Sequence, residues 1–485
     1  MADLNRRQFL KSAAAGAGLL GLGCSSFSQK QKPNILFIFA DDQAFDTINA
    51  LGYTDVETPN LDRLKQNGVT FTHAYNMGAW HGAVCVASRT MLNTGRFLWE
   101  ARDLEPELKA EQNNGRFWSQ YLKNAGYDTY MSGKWHVKDI NPNDIFDVVR
   151  DVRPGMPNDF FDWDNPDEHH LGYDRPVEGE EDEWSPYDKS LGGFWEGGTH
   201  WSDVLGNHAI DFIDQAKDKS NPFFMYLAFN APHDPRQSPK EFVDKYPIDQ
   251  IEAPKNFQPL YPYKDDIGCG YGLRDERLAP FPRTEYAVKV HRQEYYAIIT
   301  HMDAQVGRIL DALEASGKAD NTYIFFTADH GLACGHHGLL GKQNMYDHSV
   351  RVPLFVTGPK VPKNKQIQTP VYLQDIMPSA LELADVEKPV HVDFHSLLPI
   401  ISGKKEKNYD LIYGGYTELQ RMVCDGDFKL IYYPKIDKTI LYNLKTDPLE
   451  MNNLADDPHY ANKIQELRLK LHDLQVELAD PLVSL

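Results

Sequence analysis

The sequence predicts an α/β fold, with a mostly parallel sheet sandwiched by helices and a small C-terminal antiparallel sheet and helix. Three observations carry this. Continuously apolar runs such as NILFIFA, Asn34 to Ala40, read as strands buried on both faces. Helical patterns alternate with such runs as far as Gly331, the βα rhythm of a parallel sheet. After about Leu397 the chain changes to closely spaced apolar runs that suit hairpins.

In chain order, TPNLDRLKQNG starts a helix at Pro59 behind a Thr58 cap and stops it at Gly68. GRFWSQYLKNAGY is helical, and DTYMSGKWH is a strand running into a loop. HAIDFIDQAKD gives another helix and NPFFMYLAFNAPH another strand. The longest helix covers Glu294 to Glu314, where Tyr296, Ile299, Met302, Val306, Ile309 and Leu313 recur at three- and four-residue steps. TYIFFTADHG is the strand that follows. Between Asn141 and Gly198 acidic residues, proline, glycine and aromatics show no sustained period, which predicts a long loop that walls a substrate site. DLIYGGY, QRMVCDG, FKLIYYP and TILYNL form the late sheet, and KIQELRLKLHDLQVEL the closing helix. The expected division is an export segment 1–30, a main domain 31–396 carrying the 141–198 insertion, and an α+β subdomain 397–485.

The 485-residue chain is long enough for a large core. Its formal net charge of -20 argues against nucleic acid or an anionic bilayer as partner. The N-terminus pairs Arg6 and Arg7 before Phe9, Leu10 and Lys11, then runs through Ala, Gly and Leu to Cys24. That run is too short and glycine-rich to span a membrane; it resembles a twin-arginine signal, which sends folded proteins to the periplasm or beyond. LGLGC ending at Cys24 is similar to a lipoprotein box with Gly21 in place of leucine, so lipid anchoring stands beside simple cleavage. Cys85, Cys269, Cys334 and Cys424 are widely spaced, which predicts no disulfide framework.

The polar residues that end the expected strands are Asp41 and Asp42, Lys134 and His136, His233, and Asp329 and His330. Each alone reads as a turn, a cap or solvated surface. Together they sit at carboxyl ends, where open parallel sheets build their sites. Asp41, Asp42 and Asp329 supply the hard oxygens that suit calcium. His336 and His337 read as solvated loop residues.

Cys85-Val86-Ala87-Ser88-Arg89, with Thr94-Gly95-Arg96 behind it, resembles the signature of the formylglycine-dependent sulfatases, whose fold is similar to alkaline phosphatase. The resemblance continues through the Asp-Asp pair, GKWH, APH, TADHG and Gly341-Lys342. It implies that a maturase, met transiently, converts Cys85 to formylglycine, whose hydrate attacks sulfur and then expels sulfate by collapsing to the aldehyde. It implies calcium held by Asp41, Asp42, Asp329, His330 and the modified Cys85. Many relatives carry asparagine where His330 stands, and the common signature has proline where this chain has Ala87. Arg89 would orient the hydrated aldehyde, and Lys134 and Lys342 would bind sulfate oxygens. His136 would partner the diol, and His233 would protonate the leaving oxygen. The implied reaction is hydrolysis of sulfate esters on a sulfated oligo- or polysaccharide, such as the algal polymer ulvan. Trp163, Trp184, Trp195 and Trp201 are candidates either for stacking on its sugar rings or for the core. The alternatives are a phosphonate or phosphodiester hydrolase of the same superfamily and a catalytically silent glycan-binding protein.

Overall fold

Strand β1, Asn34–Ala40, is buried along all 7 of its residues and forms the middle of the fold. The computed structural model describes residues 32–162, 164–166, 168 and 170–483; the expected export signal, Cys24 and Trp163 lie outside the described residues. The main sheet adds β2 (Val69–Phe71), β3 (Asp128–Lys134), β4 (Val148–Arg153), β5 (Phe223–Ala228), β6 (Thr322–Ala328), β7 (Leu354–Thr357) and β8 (Lys365–Ile367). Their order is β8-β2-β7-β6-β1-β5-β3-β4, and only β7 runs against the others. A strand flanked on both edges and covered on both faces must be apolar throughout, which is why β1 and β5 show no polar alternation. The register is flush at the carboxyl edge: Ala40 pairs with Ala328, Phe39 with Ala228, and Ala228 with Gly133. Whatever follows these residues leaves the sheet at nearly one level.

Helices α1 (Pro59–Asn67), α2 (Val84–Thr94), α3 (Trp118–Asn124), α4 (Trp201–Ala216), α5 (Glu285–Ala315) and α6 (Ile376–Leu383) form two groups. Helices α1, α4 and α5 pack together, as do α2, α3 and α6. The helix α5 starts at Glu285, before the expected Glu294, because the Thr284 hydroxyl accepts a hydrogen bond from Ala287 N and caps it there. Thr58 precedes α1 as expected, but its hydroxyl does not cap that helix: it accepts from Asn49 N and donates to Asp62.

The segment expected to be an aperiodic wall contains the edge strand β4, parallel to β3. Its half-exposed sequence VVRDVR carries none of the apolar continuity that marks an inner strand. The tryptophans there face protein. Trp184 is buried edge-on against Phe160, and Trp195 is buried between His200 and the Lys189 ammonium. Trp201 has the Arg153 guanidinium 4.5 Å over its ring. Of the two alternatives the sequence leaves open for these three, the structure favours packing against protein.

At the C-terminus β9 (Ile412–Tyr416), β10 (Gln420–Cys424), β11 (Phe428–Tyr433) and β12 (Lys438–Asn443) form the antiparallel sheet, and α7 (Ala461–Glu477) packs on β10 and β11. A fifth strand, Gly78–Ala79, pairs parallel with β9. Val84, Ala87 and Met91 of α2 share one apolar cluster with Tyr413, Met422 and Ile431. Residues 33–485 accordingly fold as one unit.

Gly78 is where the segment leading to α2 joins the C-terminal sheet. Its φ is 103°, and a Cβ there would lie 1.9 Å from the Gly415 carbonyl oxygen. The substitution Gly78→Ala is expected to destabilise the fold by about 2 kcal/mol or more. Thermal unfolding checks this, and an unchanged midpoint would show that the junction tolerates a side chain.

Candidate active site

Four adjacent strands, β6, β1, β5 and β3, deliver their carboxyl ends to one rim, and α2 arrives there with its N-terminal turn. Cys85 lies in that turn, buried, where unpaired backbone N–H groups favour negative charge. The helix is buried at every residue but Val86 and ends at Gly95, which adopts the left-handed conformation (φ 74°) and returns its N–H to Met91 O. Arg89, one turn after Cys85, is fully buried. Its Nε donates to Asp329 Oδ2 at 2.9 Å, and its Nη1 to the Lys134 carbonyl at 2.7 Å. Its Nη2 stands 3.7 Å from Asp41 Oδ1, and the guanidinium stacks 4.6 Å from the Phe39 ring.

All ten residues expected at the site are brought together. Lys134 Nζ donates to Asp41, and Lys342 Nζ donates to both oxygens of Asp42 at 2.9 and 2.8 Å. His330 Nε2 is 3.1 Å from Asp42 Oδ1 and 3.5 Å from Asp329 Oδ1. His233 Nε2 is 3.9 Å from Asp42 Oδ2. His136 lies with its ring against Gly155, where a Cβ would come 2.4 Å from His136 Cε1. Asp42 and His136 both hold left-handed backbone conformations, φ 68° and 56°, a strain that residues with side chains accept when their surroundings dictate it.

The electrostatics of this knot are unusual. Burial would raise the Cys85 thiol, but Lys134, Lys342 and hydrogen bonds from His136 and His233 draw it well below its usual range. Burial and the nearby Asp329 carboxylate push Asp41 well above the usual carboxylate range, against the pull of Lys134. Asp329 resists its burial: His330 and Arg89 hold it below that range.

The donor set fits a hard divalent cation. One ligand atom each from Asp41, Cys85, Asp329 and His330 lies within 4.8 Å of the others, and the same holds for Asp42, Cys85 and His233. Asp41 Oδ1 and His330 Nε2 are buried without a hydrogen-bond partner. With Asp41 raised by burial and a neighbouring carboxylate, the cluster has an unmet demand for positive charge at its centre.

Two expectations need revision around this centre. His336 and His337 are buried rather than solvated: His336 Nδ1 is 2.7 Å from Asn256 Oδ1, and the His337 ring stacks 4.0 Å from that of Tyr346. The loop carrying them is folded under Asn256 and Glu450, which its sequence alone does not reveal. The sequence reading also missed Asp234, Arg274 and Asp275, buried ionic residues beside His233 and Lys342. The word HDPR held a signal, charge density next to an expected site residue, whereas RDER lies far along the chain from every one of them. Among the described residues Cys85, Cys269, Cys334 and Cys424 are free thiols.

Comparison with known proteins agrees with this geometry. A family model described as Sulfatase matches residues 33–386, and one described as N-sulphoglucosamine sulphohydrolase, C-terminal, matches 335–477. A twin-arginine translocation signal model matches residues 3–23, which marks the chain for export. A protein named Sulfatase from Formosa agariphila is 29% identical over 94% of this chain and 90% of its own length. An N-acetylglucosamine-6-O-sulfatase from Bacteroides thetaiotaomicron is 25% identical over 93% of this chain and 88% of its own. The solved structure of BT4656 in complex with its substrate D-glucosamine-2-N,6-O-disulfate has the same fold, with a TM-score of 0.70 at 23% identity, over 93% of this chain and 99% of that one.

Replacing Arg89 by leucine strands two buried carboxylates. The substitution is expected to cost about 3–5 kcal/mol of stability, read from the urea midpoint. A cost under about 1 kcal/mol, the size of an ordinary surface change, would show that the carboxylates do not depend on it.

Proposed function

The chain belongs to the sulfatase family of sulfuric ester hydrolases, and from that premise we propose that it desulfates a sulfated carbohydrate with a formylglycine made from Cys85 and a bound calcium ion. The observation that carries this reading is the convergence of Asp41, Asp42, Asp329 and His330 on one buried cysteine at a helix N-terminus. Calcium would be held by those four residues and by the residue at 85, and when bound it adds positive charge at the sulfate oxygens. Formylglycine supplies, as its hydrate, an oxygen nucleophile toward sulfur.

The remaining work falls to the chain's own side chains. Lys134 and Lys342, buried at the rim, bind the equatorial sulfate oxygens and balance charge as it spreads in the transition state. His233 keeps its Nδ1 hydrogen-bonded to the Asp234 carbonyl at 2.6 Å, so Nε2 faces the site and gives its proton to the leaving oxygen. His136, pinned by Gly155, takes the proton from residue 85. Arg89 fixes Asp329 and, through the Lys134 carbonyl, the strand that brings Lys134. Ala87 is buried against the C-terminal sheet's cluster and touches none of these groups, so its place in the signature concerns recognition by the maturase rather than turnover.

The substrate is proposed as a sulfated oligosaccharide cut from a polysaccharide, algal polymers such as ulvan among them. The N-acetylglucosamine-6-O-sulfatase relative supports a sugar sulfate as the ester. The twin-arginine signal supports action outside the cytoplasm, where such polymers are met.

Peptide mass analysis of protein made with a maturase should find an aldehyde in place of the Cys85 thiol; an intact thiol together with glycan binding would favour a silent binding protein. Release of sulfate from a panel of defined sulfated oligosaccharides, ulvan fragments included, should identify a substrate. More efficient turnover of an aryl phosphodiester than of an aryl sulfate would overturn the sulfatase assignment of the site. Gly155→Ala, which displaces the His136 ring, should lower kcat about tenfold to hundredfold with an unchanged melting temperature.

A further inference from the structure

Resting on the roles proposed for His233 and Lys342, we propose that Arg274, clamped between Asp234 and Asp275, is a positioning residue that holds the leaving-group acid and a sulfate-binding lysine at a fixed separation. The connection is continuous. His233 Nδ1 is 3.3 Å from Asp234 Oδ1 as well as bonded to the Asp234 carbonyl. Arg274 pairs with both oxygens of Asp234, and its Nη2 also donates to Asp275. Asp275 Oδ2 lies 3.9 Å from Lys342 Nζ and accepts from Gln343 Nε2 at 2.6 Å. Gln343 Nε2 donates in addition to the Gly82 carbonyl at 2.9 Å, tying the same arc to the turn that precedes Cys85.

These groups are withdrawn from water. Side-chain exposure is 9% for Arg274, 5% for Asp234, 6% for Asp275 and 3% for Lys342. Ion pairs so buried are stiff, because swinging out of register leaves an uncompensated charge in a low dielectric. Arg274 also donates to the Tyr173 hydroxyl at 2.6 Å, and that hydroxyl donates to Asp234 Oδ2 at 3.2 Å, so the long insertion closes the arc from outside.

Behind it the short turn Arg274–Leu278 is bolted to the lysine's loop. Glu276 accepts from Leu340 N and Gly341 N and pairs with Arg283. Only a planar fork can serve both carboxylates at once; a lysine at 274 keeps the charge and loses one of the two grips. The arc touches neither nucleophile nor sulfur, so its contribution is the placement of groups on opposite sides of the bond that breaks.

The test is steady-state kinetics of matured protein on an aryl sulfate, which leaves without help, and an alkyl sulfate, which needs an acid. Asp234→Asn should lower kcat on the alkyl ester by about tenfold to hundredfold with KM little changed and leave the aryl ester within about threefold, whereas Arg274→Lys, which loosens the lysine arm as well, should slow both esters and the alkyl ester more. The double variant Asp234→Asn/His233→Ala should be no slower than His233→Ala alone, since both act through one imidazole. Equal losses on both esters in Asp234→Asn, or additive losses in the double variant, would overturn the proposal while leaving His233 as the acid. A His233→Ala variant with no preference between the esters would instead remove the role assigned to His233. A second reading needs no turnover: Asp275→Asn should weaken binding of inorganic sulfate about tenfold by thermal shift, and unchanged sulfate affinity counts against the lysine arm. Melting curves of each variant separate misfolding from misplacement, and Arg274→Lys retains the buried charge if the asparagine variants do not fold.

Discussion

The Arg89 guanidinium is the group on which the site depends. It is sealed from solvent, and its partners come from three strands: Asp329 after β6, Asp41 after β1 and the Lys134 carbonyl at the end of β3. A buried guanidinium without those partners would cost several kcal/mol, so its presence demands that the strands end flush, and the register of β1 with its neighbours meets that demand. Three carboxylates, Asp41, Asp42 and Asp329, face three permanent cations, Arg89, Lys134 and Lys342. The rim is therefore close to neutral within a chain of net charge -20. An anionic ester meets little local repulsion there despite the field of the whole molecule.

That balance also explains why one side chain can hold two duties. The two lysines neutralise carboxylates in the structure as it stands, and the same ammonium groups are the natural seats for sulfate oxygens. On the proposed mechanism, a cation among the carboxylates would relieve the lysines of the first duty and leave them to the second. Asp41, raised by burial and by Asp329, marks the spot where the existing cations fall short.

The inner strands and the groups behind them were legible because one physical rule governs both. A strand buried on two faces writes itself as an apolar run, and the first charged residue after such a run must lie at the sheet's rim. Asp41, Lys134 and Asp329 are such residues. The edge strand β4 obeys no such rule, since one edge and part of its faces meet water. Arg274 and Asp275 were hidden for another reason: they stand on a short turn far along the chain, and nothing local distinguishes a buried ion pair from a solvated one. His336 and His337 misled in the opposite direction, their polar surroundings in the sequence suggesting exposure where tertiary contacts supply burial.

Cys85 is 3% exposed, in the first turn of a helix whose approach is sewn into the last sheet of the chain by Gly78–Ala79. If Cys85 is converted as proposed, the converting enzyme would have to reach that sulfur before the chain has closed around it. Because the export route marked by the N-terminus carries proteins already folded, the proposed editing would come before closure and transport. Folding speed would then compete with catalytic competence: a chain that closed early would be shipped intact, stable and inert.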